Sequence, residues 1–203
     1  MLQTRLSSYL TACFSTPVFR IDIEENDAGN KAVENYLLNA RLRANAEAER
    51  VWQSTHDLHT VTDESAVVAV RHHFANAITH LTSQEFDTEI PGEHFRVYMN
   101  MWGCISRQGT FRSMMNNSPF DWTGFYFAKA PGAIVELADP RANPNMAAGG
   151  KYAKNPKKLI VEAKTGTLLV FPGWLNHTVI QEEGDDVQIT LEMATTVTVV
   201  EED

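Results

Sequence analysis

Cysteine is scarce in this chain of 203 residues: there are two, Cys13 and Cys104, with no CxxC spacing. That argues against a disulfide framework or a zinc ribbon and leaves a reduced thiol pair as the expectation. Long apolar runs are missing too, since none approaches the roughly 18 residues of a membrane span. The opening stretch MLQTRLSSYLTACF is broken by Arg5 and by hydroxyl residues, too polar for a secretory core. A cytoplasmic chain with no membrane partner is expected. Positive charge is also short, with 17 basic against 26 acidic residues and a net charge of −9. Such a surface repels phosphate backbones, and no basic stripe with interleaved aromatics offsets it, so nucleic acid is not an expected partner. The acidic clusters at 22–27, 182–186 and 201–203 read as solvated loops and tail.

What the chain does have is an ordinary globular composition, 43% hydrophobic and 21% charged. Its length suits a single domain over 1–203, burying roughly 70% of the surface of the unfolded chain without help from a metal. PVFRIDI, starting at Pro17, alternates apolar and polar residues and predicts a first strand. Val33, Leu37, Ala40 and Ala44 recur at helical spacing behind Asp27, predicting a helix over about 28–50. Val67, Val70, Phe74, Ile78 and Leu81 predict a second over about 63–83, capped by Thr62 or Asp63. WQSTHDLH between them reads as a polar connection. After Pro91-Gly92 the character changes to short β-rich runs split by Gly, Pro, Asn and Asp, with no intervening helix. Mostly β structure follows, an antiparallel sandwich or barrel of about eight strands over 93–203, carrying the N-terminal strand and helices of 1–92 as an outer layer. The stretch 140–156 has no apolar period and reads as a flap beside the barrel mouth.

The segment GTLLVFPGWLNHTVIQ sets His177 just after a Phe-Pro-Gly turn, at the start of a strand. On a double-stranded β-helix this is the barrel mouth, where non-heme iron enzymes keep the last ligand of a two-histidine, one-carboxylate set. Ligating partners are hard to find. No histidine lies between Phe95 and Asn176, and no His-x-Asp or His-x-Glu occurs anywhere. His72, His73 and His80 belong to the second helix. His56 and His59 reach a barrel site only if their connector folds over it.

The ordered set FSTPVFRIDI, VWQSTHDLH, MNMWGCISRQG, TGFYFAKAPG with LADPR, and GTLLVFPGWLNHTV resembles the 2-oxoglutarate/iron(II)-dependent oxygenase family across nearly the whole chain. The resemblance implies a double-stranded β-helix (jelly-roll, cupin-like), dioxygenase chemistry on a small molecule, and Fe(II) with 2-oxoglutarate as cofactors. It carries His177 over as the last metal ligand. The family's HxH pair falls on Met115 and Asn117, or on Met114 and Asn116 with the loop shifted by one. The family's 2-oxoglutarate arginine falls on Gln188, eleven residues beyond His177. A thioether and a carboxamide are poor ligands for Fe(II), and glutamine offers neither charge nor a bidentate fork. Arg96, Arg112 or Lys129 would have to supply a cation from a neighbouring strand.

Three readings stay open: an iron oxygenase, an enzyme on the same scaffold with a changed or lost cofactor, and a non-catalytic binding protein. In the second, His177 is the acid or base, with Asp121, Tyr126 and the asparagines Asn116 and Asn117 as companions. The expected partner is a small molecule, with a homodimer left open. If Trp102, Phe125, Phe171 and Trp174 fill the barrel, the binding-protein reading gains.

Overall fold

The computed structural model describes residues 16–24, 26–85, 95–107, 109–110, 112–138, 158–181 and 186–199. The 140–156 stretch read as a flap lies outside them. Nine strands and two α-helices are present among the described residues. The larger sheet runs β1-β7-β4-β9-β3-β2 and the smaller β6-β5-β8. In chain order these are β1 (Phe19–Asp22), β2 (Val51–Gln53), β3 (Phe95–Ser106), β4 (Trp122–Lys129), β5 (Ala133–Ala138), β6 (Lys158–Ala163), β7 (Thr167–Pro172), β8 (His177–Gln181) and β9 (Gln188–Val199). All strand pairings are antiparallel. A single bridge from Met115 to His177 adds a fourth position beside β8, so the two sheets interleave as a double-stranded β-helix, as expected.

Alternation along the strands of the larger sheet gives it two cores, one on each face. Ile189, Leu191 and Met193 point outward into a cluster shared with Val33 and Leu37 of α1 (Asp27–Arg43) and Val67, Phe74 and Ile78 of α2 (Ser65–Glu85). On the inner face, Phe125, Phe127, Leu169 and Phe171 meet Val135, Leu137 and Val179 of the smaller sheet. Gly103 lets α1 lie this close, because a Cβ there would stand 2.2 Å from Leu37 Cδ2.

Two boundaries differ from the sequence reading, each for a local reason. Helix α1 stops at Arg43 rather than near residue 50. Asn45 adopts a left-handed φ of 53°, and the Arg41 guanidinium turns back onto the carbonyls of Ala46, Glu47 and Glu49. The stretch read as a polar connection is tied to the sheet: Val51–Gln53 pair with β3, and Asp57 bridges Met101. The connector is therefore laid across the open end of the barrel, which bears directly on the site.

Candidate functional site

The turn between β7 and β8 is fastened to the loop that precedes β4. Gly173 N–H donates to the Asp121 carbonyl (2.8 Å), and Asn117 N–H donates to the Gly173 carbonyl (2.8 Å). A side chain at Gly173 would meet the Phe120 carbonyl oxygen at 2.2 Å, so only glycine fits. One step on, His177 and Met115 exchange both backbone hydrogen bonds, at 2.8 and 2.9 Å. The imidazole is packed edge-on between Phe171 and Phe125, with centroids 5.1 and 5.4 Å away. Its Nδ1 lies 2.9 Å from the Leu175 carbonyl and so carries the proton, which leaves Nε2 as an acceptor. Burial lowers the pKa of His177 below the usual 6.5 despite the opposing Leu175 contact and the nearby Glu192, so the ring is neutral at pH 7.

His177 forms part of the wall of a cavity of about 200 Å³ at the barrel mouth. Met115 and Asn117 share that wall, while Trp102, Arg112 and Glu192 make its floor. Gln53, His56, Asn100 and Phe120 complete the rim. His56 reaches it on the folded-over connector and stacks on Trp102 at 4.5 Å. Larger hollows, about 600 Å³ along α1 and about 440 Å³ between β1 and β6, have no histidine in their walls.

The floor is electrostatically closed on itself. Glu192, 1% exposed, accepts from Arg112 Nη1 (2.5 Å) and Nη2 (3.0 Å), from Trp102 Nε1 (3.0 Å) and from Thr190 Oγ1 (3.0 Å). Burial alone would raise this carboxyl, but the Arg112 charge and the four donors outweigh it and hold Glu192 below its ordinary range. Arg112 is correspondingly raised by Glu192. Beside them burial pushes the Cys104 thiol up to about 12, so it stays protonated.

Of the residues named from sequence, His177, Met115 and Asn117 come together in this cavity. Asn117 spends its amide on Thr123 Oγ1 at 2.5 Å. Asp121 is not brought there. It is exposed, its Oδ2 accepts from Val197 N–H (2.8 Å), and it lines a separate groove with Trp174. Tyr126 faces the opposite side of the sheet, where its hydroxyl bonds Asn30 and Asn26. Gln188 pairs with Ser106, buried, two pleats below Glu192, and it is absent from the cavity wall with its Oε1 lacking a hydrogen-bond partner. Asn116 is exposed and bonds Asn176, and Met114 is exposed. Among the three cations considered, Arg112 reaches the cavity, Arg96 is exposed, and Lys129 pairs with Glu34 and Asp186 outside the barrel. Glu192 went unread as a site residue, whereas Arg112 was a candidate cation and His56 a candidate on a connector folded over the barrel, and both reach the cavity. A carboxylate inside the apolar run VQITLEMATTVTVV was the available signal for Glu192.

Among the described residues, no three His, Cys, Asp or Glu side chains converge as a metal-binding group. No helix there is long and apolar enough to cross a membrane.

Residues 100–193 match the family model described as "Putative 2OG-Fe(II) oxygenase". A search of curated proteins found no match. Solved structures share the fold at low identity. A prolyl-4-hydroxylase of Pseudomonas putida aligns with a TM-score of 0.55 at 9% identity, over 90% of this chain and 94% of its own. AviO1 of Streptomyces viridochromogenes Tue57 gives 0.56 at 11%, over 89% and 90%. HygX of Streptomyces hygroscopicus, solved with nickel and 2-oxoglutarate, gives 0.54 at 8%, over 89% and 82%.

Proposed function

We propose that this chain, whose barrel carries the pattern of the 2OG-Fe(II) oxygenase family, binds a small polar molecule at His177 without iron(II) or 2-oxoglutarate. The observation that carries this reading is the set of side chains that line the cavity with His177. In the same wall stand a thioether, Met115, and a carboxamide, Asn117, whose Nδ2 donates to Thr123 Oγ1. Fe(II) is held by imidazole, carboxylate and water, not by this pair. The carboxylate in the same wall, Glu192, has its oxygens taken by Arg112, Trp102 and Thr190. The residues therefore do not fit the metal that the family implies.

Nor do they fit its dicarboxylate. Gln188 brings no charge, and Arg112 is neutralised by Glu192. Losing the charge partner of a buried carboxylate costs on the order of 2–5 kcal/mol. What the cavity offers instead is an unprotonated imidazole nitrogen, an aromatic floor at Trp102, and amides at Asn100 and Gln53. A neutral molecule with an N–H or O–H donor suits that arrangement. If the bound molecule is turned over, Nε2 is the base, since burial keeps His177 neutral at pH 7.

Long-range proton–nitrogen NMR on histidine-labelled protein tests this. His177 should show a protonated Nδ1 and an unprotonated Nε2, and small amides or alcohols such as acetamide should move the Nε2 resonance saturably. An Nε2 that no such molecule moves, or a ring already protonated at pH 7, would remove the proposed binding group.

A further inference from the structure

We infer that Glu192 is an internal ligand: the Arg112 guanidinium is a carboxylate-binding site, filled by the chain's own side chain. This deepens the reading of the His177 cavity as a small-molecule site by naming what the cavity refuses. Acidic molecules are turned away because Arg112, the one cation in the wall among the described residues, is already satisfied, and neutral hydrogen-bonding molecules remain.

The geometry is that of a bound carboxylate rather than of a surface ion pair. Arg112 meets Glu192 in two parallel contacts, Nη1 to Oε1 at 2.5 Å and Nη2 to Oε2 at 3.0 Å, the fork arrangement by which arginine recognises planar acids. Each oxygen also receives a further donor, Thr190 Oγ1 on Oε1 and Trp102 Nε1 on Oε2, both at 3.0 Å. Both side chains are shielded, 13% exposed for Arg112 and 2% for Glu192. The pair nevertheless belongs to the wall of an open cavity, so a molecule from solution can reach the place where the carboxylate stands. The three donors come from three separate elements, β3, β9 and the loop before β4, and converge on one carboxylate position.

Glu192→Ala removes a CH₂–COO⁻ fragment, the size of acetate, and leaves Arg112, Trp102 and Thr190 aimed at the space. Acetate should refill it. The expected result is a lowered melting temperature for Glu192→Ala that rises saturably by several degrees with acetate at constant ionic strength. Wild type and the double variant Glu192→Ala/Arg112→Met should not respond to acetate beyond chloride. Acetamide should shift wild type and Glu192→Ala alike, because it lacks the charge that Arg112 reads. If Glu192→Ala does not fold unaided, its refolding yield in acetate against acetamide replaces the melt, and acetate should give several-fold more folded protein. An acetate response equal to that of chloride, or one that persists without Arg112, would overturn the assignment. The rescue reads Arg112 alone, so its failure leaves the His177 NMR result untouched, and the reverse also holds.

Discussion

Arg112→Met gives the strongest single perturbation that the site predicts. The substitution keeps an apolar stem of similar length and deletes the guanidinium. Glu192, 1% exposed in the wild type, then loses both guanidinium hydrogen bonds and keeps only those from Trp102 and Thr190. Removing one partner of a buried pair typically costs about 3–5 kcal/mol, because the other charge is left uncompensated. Against a total stability of roughly 5–15 kcal/mol that is a large share. For a chain of this size it lowers the melting temperature by roughly 6–20 °C. Urea denaturation at several pH values reads both the size and the cause. In wild type the Glu192 pKa lies below 4.5, so its contribution is present above that value and is lost as pH falls through the folded pKa. Without Arg112 the burial penalty dominates and the folded pKa moves above 4.5, so the variant's deficit shrinks as pH falls and the carboxyl takes up a proton. Arg112→Met/Glu192→Leu, with no charge left to bury, should recover most of the loss. A deficit below about 1 kcal/mol, or one that is flat with pH, would show that the pair is not the desolvated contact described.

Four further outcomes follow from the same geometry. Binding of a neutral donor to Nε2 should fade as pH falls below 6.5 and through the lowered pKa of His177, because the protonated ring has no lone pair to offer; titration from pH 8 to 5 reads the midpoint. His177 itself should cost stability over the same interval, since the unfolded imidazole takes up its proton first as pH falls from 6.5. Tyr126→Phe should destabilise by about 1–3 kcal/mol, stranding the buried Asn30 oxygen, while leaving the His177 nitrogen resonances in place. Gly173→Ala should cost about 1–3 kcal/mol or more by forcing Phe120 away, and it should shift those resonances because the turn positions His177.

Much of the fold was legible because it rests on period and punctuation. The strands after residue 94 alternate and are cut by turn residues, and both helices carry their apolar stripe, so an antiparallel sandwich or barrel with an outer helical layer could be expected, and the family resemblance made it a double-stranded β-helix. Local signals missed the end of α1, where a backbone twist at Asn45 and a guanidinium on three carbonyls act together. The FPGWLNHTV turn pointed to His177, and the family resemblance set Met115 and Asn117, or Met114 and Asn116, in the place of the HxH pair. Of these, Met115 pairs with His177 through the backbone. Asp121 and Tyr126 sit one and five residues from Phe120 and Asp121 in sequence, yet strand alternation and a backbone cap send them elsewhere. The floor was illegible for a different reason. Arg112 and Glu192 lie 80 residues apart, in a loop and a strand, and no local pattern ties them. His56 likewise depended on a connector whose course is fixed by one bridge, Asp57 to Met101.

The central proposal is that this barrel works without the metal and the dicarboxylate of the family it resembles. Anaerobic reconstitution with Fe(II), followed by calorimetric titration of 2-oxoglutarate, measures it directly on the wild-type protein. The account predicts iron well below one per chain after desalting, and no saturable heat with 2-oxoglutarate in the micromolar range. Stoichiometric iron together with micromolar 2-oxoglutarate binding would contradict it.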